Sequence, residues 1–362
     1  MIQNNAYHQA GNSQTNVIST FQHLQYGELH IKQDLKNNFF AIIAIHSTKR
    51  GPALGGCRFI PYTQPENAII DALRLAQSMS YKAAISDLSL GGGKAVIIHS
   101  PQITNRERVF ELFGEFVHSL NGRYITAEDS GTSVEDMDIV YKNTPHVTGH
   151  SQSKFLTDDP SPLTALGVVR GMEAAAYHHL NLHSLEGLKI VIQGVGNVGF
   201  NVAELCVERG AHVTIYDIDS TAVKQATDSL NVEVCYAEEL YSMPCDIFSP
   251  CALGNAINLN TIHQLNTKII AGAANNQLAS IDLAQTLKEK GILYAPDYAI
   301  NAGGLIHVAA QHYKESEQQA KEKVLRIYDT LLDIFETSDK TSQTTVDIAN
   351  QMAEERLGNH QE

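Results

Sequence analysis

The chain has 362 residues, 43% hydrophobic and 18% charged, enough for about two domains at roughly 100–200 residues each. Its 26 Lys and Arg against 40 Asp and Glu leave a formal charge of −14, which argues against nucleic acid or an anionic membrane as partner. No run reaches the ~20 apolar residues of a membrane span, and five scattered cysteines without a Cys-x-x-Cys pair fit a reducing cytoplasm better than a zinc or disulfide scaffold.

Met1 to Asn16 is rich in Asn, Gln and His, has no apolar signal core, and reads as a frayed tail. Phe39 to His46 is apolar and β-branched, as a strand should be. Glu66 to Met79 carries Ala68, Ile69, Ala72, Leu73 and Ala76 at helical spacing. Gly91-Gly92-Gly93-Lys94 then leads into an expected strand at Ala95 to Ile98. Asn105 to Leu120 reads as a helix capped by Asn105, and Tyr124 to Ala127 as a strand ending at Glu128-Asp129. Ser151 to Pro162 is polar and reads as a loop or hinge.

The second half begins with an expected helix, Thr164 to Tyr177. Strand Leu188 to Gln193, helix Val198 to Arg209 and strand His212 to Asp217 follow. Later strands are expected at Asp246 to Phe248, Lys268 to Ala271 and Ile292 to Tyr294, and helices at Lys321 to Glu336 and Thr345 to Leu357. This alternation predicts an α/β protein whose second unit is a parallel sheet covered by helices.

Gly194-Val195-Gly196-Asn197-Val198-Gly199 matches the G-x-G-x-x-G dinucleotide fingerprint. It lies between a strand and a helix, and Asp217 ends the next strand about 20 residues on, where an acid binds the ribose hydroxyls. That acid would repel a 2′-phosphate, so NAD is expected over NADP. A glycine turn without a ligand is the plainer alternative. Strand ends elsewhere place Ala252, Leu253, Asn275 and Asn301 on the same side of the sheet. Each asparagine reads equally well as a buried cap or turn residue.

The glycines before Lys94 present no Cβ and should allow a ligand close approach. A phosphate-binding P-loop is excluded: Leu88 stands where its first glycine belongs, and Ala95 follows the lysine in place of Ser or Thr. Lys82 lies upstream in Met79-Ser80-Tyr81-Lys82. Two neighbouring, partly desolvated lysines should depress at least one ammonium pKa, giving a base, while a charged lysine would hold a carboxylate. Asp129 could exchange protons with the reacting group or cap the helix expected over Ser133 to Val140. His179 and His183 are four apart but lack a supporting carboxylate, so no metal site is expected.

Together these residues resemble the Glu/Leu/Phe/Val dehydrogenase family, most closely its leucine-specific members. The motifs are Gly51-Pro52-Ala53-Leu54-Gly55-Gly56, Met79-Ser80-Tyr81-Lys82, Leu90 to Lys94, Thr126-Ala127-Glu128-Asp129, Pro162-Leu163-Thr164, Ala252-Leu253-Gly254, Asn275 to Leu278 and Ala295-Pro296-Asp297-Tyr298. They cover nearly everything from Phe40 to Leu357. The resemblance implies two domains with a cleft between them. Residues 1–150 with 335–362 would bind substrate and dimerise; 151–334 would be a Rossmann domain for NAD. It implies NAD-linked reversible oxidative deamination of a leucine-like amino acid. Lys82 would bind the carboxylate with the Gly55-Gly56 backbone, Lys94 would activate water, and Asp129 would relay a proton. Thr164 and Asn275 would orient the nicotinamide, and Phe200 would join the fingerprint residues at the cofactor.

Leu54, Met79, Ala127, Leu305 and Val308 match the family's side-chain pocket. All are apolar, which disfavours glutamate but leaves aromatic substrates open. Cys57 and His307 depart from the threonine and asparagine of the leucine-specific members. A homo-oligomer is expected, dimer or octamer; the chain ends at Glu362 without the longer tail of octameric relatives, which counts against the octamer but not the dimer. Those departures also motivate a third reading, a catalytically silent NAD-binding protein; the intact lysines count against it.

Overall fold

A computed structural model describes residues 17–23, 27–152, 159–252 and 254–358. Helix α1 (Val17–His23) precedes strands β1 (Glu28–Asp34), β2 (Phe39–Ser47) and β3 (Ala53–Ile60). Helix α2 (Pro65–Ile85), strand β4 (Gly91–Ile98), helix α3 (Arg106–Ser119), strand β5 (Tyr124–Glu128) and helix α4 (Val134–Asn143) complete the first unit. Its sheet has the order β1-β2-β4-β3-β5. β1 and β4 run antiparallel to β2, while β3 runs parallel to both β4 and β5.

β2 shows why this sheet is covered on both faces. Side chains alternate across a strand. Phe39, Ala41, Ile43 and Ile45 pack with Val109, Phe113 and Val117 of α3. Ile42 and Ala44 turn the other way, onto Ala68, Ala72, Leu73 and Ala76 of α2. A strand buried on both sides reads as a continuous apolar run. At α3, Asn105 caps the helix as its sequence predicts, its side chain accepting from the Arg108 amide at 3.0 Å.

The second unit opens with α5 (Ser161–Leu180). Strand β6 (Lys189–Gln193), helix α6 (Asn197–Glu208), strand β7 (His212–Tyr216), helix α7 (Ser220–Ser229) and strand β8 (Glu233–Val234) follow. Then come β9 (Cys245–Pro250), β10 (Thr267–Ile270), α8 (Leu283–Glu289) and β11 (Leu293–Tyr294). The order β11-β10-β9-β6-β7-β8, parallel throughout, is that of a doubly wound dinucleotide-binding sheet. Here too the faces alternate. Ile190 and Ile192 of β6 join Val168 and Val202, whereas Val191 joins Leu283 and Leu287.

The chain closes with α9 (Asp297–Ile300), α10 (Gly303–Tyr313), α11 (Glu317–Leu325), α12 (Ile327–Thr341) and α13 (Thr345–Arg356). The single helix expected over Lys321 to Glu336 is two, broken at Arg326. Both α11 and α12 pack against α5. α13 then returns to α2. Arg356 donates to the Ala84 and Ile85 carbonyls at 3.2 and 2.6 Å, which caps orphan acceptors at the end of α2. Tyr81 donates to Glu354 at 2.7 Å. The two units also share apolar contacts: Leu54, Leu90 and Ile125 belong to one cluster with Val168, Ile300 and Leu305.

Candidate active site

The glycine run does not lie in a loop before a strand. Gly91 to Lys94 form the first half of β4 itself. Nor do the glycines make way for a ligand, as their sequence suggested. A Cβ on Gly92 would collide with the Ser80 amide of α2, and one on Gly93 would stand 2.7 Å from the Tyr124 ring. A Cβ on Gly91 would strike the Ser47 carbonyl. The missing side chains let α2 and the neighbouring strands close onto β4, and this fixes where Lys94 emerges. Gly55 and Gly56 of β3 follow the same logic. A Cβ on Gly55 would meet the Gly93 carbonyl, and one on Gly56 would stand 2.8 Å from Asp129 Cβ.

Lys94 is 6% exposed. Its ammonium contacts Asp129 Oδ2, carried just past the end of β5. Asp129 is not the cap of α4, because Ser133 with Asp136 forms that capping box. Instead its Oδ1 accepts from the Ser130 amide at 2.7 Å. Its Oδ2 also accepts from Arg58 Nε at 3.1 Å. Burial alone would raise the Asp129 pKa, but the Lys94 and Arg58 charges outweigh it and hold the carboxyl down to about 2.

Sequence reasoning missed Arg58. It extends from β3 to Asp71 of α2 at 2.9 Å as well as to Asp129, and Tyr62 donates to the same Asp71 oxygen at 2.6 Å. The only trace in the sequence is an arginine in a strand that is otherwise apolar and glycine-rich; its partners lie 13 and 71 residues away.

Lys82 sits in the last turn of α2, and its Nζ reaches Asn275 Oδ1 across the cleft at 3.4 Å. Desolvation in the cleft, aided by the Lys94 charge and opposed by Asp297, lowers its pKa to about 8. The expected depression of at least one lysine therefore falls on Lys82. Asp297 is pushed the other way by burial, against hydrogen bonds from the Gln277 and Tyr298 amides at 3.2 and 2.6 Å.

The apolar candidates come together from both sides of the cleft. Leu54 of β3 and Leu305 of α10 share one cluster, with Met79 of α2 and Val308 of α10 packed against it. Ala127 is buried on β5, beside Gly56 in register. Beyond them, Thr148 donates to Gln311 at 3.0 Å, joining the first unit to α10.

The glycine fingerprint closes the other wall. Gly194 adopts φ +95°, a conformation suited to glycine in a tight strand-to-helix turn. Gly199 lies so close to the Gly194 carbonyl that a Cβ would not fit, whereas space is open beside Gly196 at the start of α6. Those are the turn, the close packing and the free approach that a pyrophosphate at a helix N-terminus needs. Asp217 accepts from the Val195 and Asp219 amides at 2.7 and 2.9 Å. Asn197, Val198 and Phe200 lie in the first turn of α6. Ala252 packs against Gly194, and Leu253 lies outside the described residues.

Thr164, in the first turn of α5, donates to the Pro160 carbonyl at 2.9 Å and faces Gly304. Asn301 donates to Asn275 Oδ1 at 2.8 Å and to the Ala273 carbonyl at 3.0 Å, while its own Oδ1 is buried without a partner among the described residues. A dinucleotide amide end could satisfy such an acceptor, so the residues present fit the group that the fingerprint implies. Among the described residues, no cluster of acids, His and Cys is placed to hold a metal, and no helix is long and apolar enough to cross a membrane.

Comparison with known proteins agrees with this geometry. Residues 24–146 match the model described as Glu/Leu/Phe/Val dehydrogenase, dimerisation domain. Residues 159–227 and 219–362 match the model of glutamate/leucine/phenylalanine/valine dehydrogenase. The leucine dehydrogenase of Bacillus subtilis (strain 168) is 47% identical over 332 residues, 92% of this chain and 91% of that one. The phenylalanine dehydrogenase of Bacillus thermotolerans is 44% identical, covering 88% of this chain and 84% of that one. The crystal structure of L-tryptophan dehydrogenase from Nostoc punctiforme superposes with a TM-score of 0.85 at 40% identity, over 94% of this chain and 98% of that one. The chain therefore belongs to the Glu/Leu/Phe/Val dehydrogenase family and is an L-amino-acid dehydrogenase family enzyme of a kind that uses NAD(P).

Proposed function

We propose that the protein catalyses the NAD-dependent, reversible oxidative deamination of a branched-chain, leucine-like L-amino acid to its 2-oxo acid and ammonia. The observation that carries this reading is the cleft itself. Lys94 pairs with Asp129, Lys82 reaches Asn275 of the unit that carries the glycine fingerprint, and Leu54, Met79, Leu305 and Val308 belong to or pack against the apolar cluster that both units share.

Lys82, with the Gly55-Gly56 backbone beside it, holds the substrate carboxylate. Lys94 orients and activates water at the imine carbon, and Asp129 exchanges the proton with the departing nitrogen. A bound NAD supplies the hydride acceptor; Thr164, Asn275 and Asn301 hold its nicotinamide end. Asn197, Val198 and Phe200, in the first turn of α6, would meet the pyrophosphate, whose charge the N-terminus of α6 would favour. Asp217 favours NAD over NADP because a 2′-phosphate would meet its carboxylate. The apolar pocket supplies no partner for a second carboxylate, which disfavours glutamate.

The first unit, joined by α13, is proposed to bind substrate and to pair with a second copy. NADH formation at alkaline pH across a panel of amino acids tests the reading. Leucine, isoleucine and valine should outpace phenylalanine and tryptophan. Faster turnover of the aromatic pair would move the protein to the branch of its phenylalanine and tryptophan relatives. No NADH with any amino acid would sink the dehydrogenase assignment.

A further inference from the structure

We propose that Arg58 is a positioning residue for this chemistry: it shares Asp129 Oδ2 with Lys94 and so fixes both the direction of that carboxylate and the charge balance around the Lys94 ammonium. The inference rests on the dehydrogenase reading for its kinetics but on the structure alone for its geometry.

One carboxylate oxygen meets two cations. Arg58 Nε donates to Asp129 Oδ2 at 3.1 Å, and Lys94 Nζ contacts the same atom. Arg58 is itself held from behind, where Nη1 meets Asp71 Oδ2 at 2.9 Å and Tyr62 donates to that oxygen at 2.6 Å. A planar guanidinium gripping two carboxylates along different edges cannot rotate without losing one of them. When Lys94 turns toward a water, Asp129 keeps its place because Arg58 does not move.

The electrostatic part follows from the other charges present. Cys57 and Tyr124, buried beside the pair, and Tyr62 all have pKa values raised by burial, so they stay neutral. Asp136 on α4 is paired with Arg106. Lys82 and Asp71 of α2 are charged neighbours of the group formed by Arg58, Lys94 and Asp129. Arg58 stays charged, its own pKa shifted upward: burial opposes the charge, but Asp129 and Asp71 favour it more strongly. Its positive charge favours ionised Asp129.

The test compares Arg58→Met, Arg58→Lys and Asp71→Asn with the parent in full pH profiles of kcat/KM, with thermal melts to establish folding. Removing the Arg58 charge should move the ascending limb to higher pH by about one unit or more and lower the plateau about ten- to hundredfold. Arg58→Lys keeps the charge, so the limb should stay while the plateau falls. Asp71→Asn leaves the Arg58 charge less balanced and should move the limb the opposite way, to lower pH.

A purely structural arginine would lower the melting temperature and scale the rate without moving either limb, and that result would overturn the assignment. An NMR titration of the Asp129 carboxyl carbon in aspartate-labelled Arg58→Met protein needs no turnover. Its midpoint should rise by about one unit or more above the parent's; an unchanged midpoint overturns the inference even if the parent proves inactive on every amino acid.

Discussion

Lys94 and Lys82 carry the same charge into the same cleft, yet their surroundings divide them. Lys94 is buried against Asp129, while Lys82 reaches the Asn275 amide oxygen and has its pKa lowered to about 8 by desolvation. If Lys94 is the base, Lys94→Ala should cut turnover by about 10²–10⁴-fold. Dinucleotide affinity, read from quenching or calorimetry, should hardly change. Lys82 makes a prediction about stability. Its folded pKa lies below the ordinary value of 10.5, so the unfolded chain binds more protons between about 8 and 10.5, and stability from this group rises with pH through that window. Below about 8 the full penalty is present. Lys82→Met should therefore melt higher than the parent at neutral pH, by on the order of 1 kcal/mol with allowance for solvent in the cleft. The gain should shrink as pH approaches 10.5. A variant that melts no higher at pH 7 would show that burial does not strain this ammonium.

At the scale of elements, β4 and α2 meet at Gly92 with no room for a side chain between them. Gly92→Ala would drive a methyl into the Ser80 amide and the Ala76 carbonyl, atoms of a helix backbone that cannot rotate away. We expect a loss of about 1–3 kcal/mol in chemical denaturation, together with a loss of activity, because the same strand carries Lys94. Full retention of both would mean that α2 shifts more freely than its packing suggests.

These elements also show what the sequence made legible. β2 and five strands of the second sheet announce themselves by apolar, β-branched runs, and α3 by its stripe and its Asn105 cap, whereas the two-residue β8 gives no such signal. β3 was hidden because Gly55 and Gly56 have little strand propensity of their own, and neighbours on both sides supply the pairing. The break at Arg326 was hidden because apolar periodicity runs on through the turn. The fingerprint, both lysines and Asp129 could be picked out from the sequence as candidates, and the structure brings Lys94 and Asp129 into contact. The Arg58 link was not, since it depends on three elements meeting at one carboxylate.

For the whole molecule, the cleft is bridged as well as bordered. Leu54 and Leu305 share an apolar cluster, Thr148 meets Gln311, and α13 ties the end of the chain back to α2. Water exclusion during hydride transfer would come from closing this cleft around the substrate.

The Lys82–Asn275 hydrogen bond joins residues 193 apart in sequence across that cleft. If Lys82 holds the substrate carboxylate and Asn275 the nicotinamide, as proposed, a carboxylate drawn to Lys82 would leave Asn275 Oδ1 with Asn301 as its donor, and a nicotinamide drawn to Asn275 would release Lys82. Each ligand thus removes a competitor of the other, and linkage requires the two affinities to rise by the same factor. The cleft should therefore show positive binding cooperativity. Calorimetry with 4-methylpentanoate, a carboxylate that cannot react, should give tighter binding with NAD present than without it, and Asn275→Ala should bring the two affinities together.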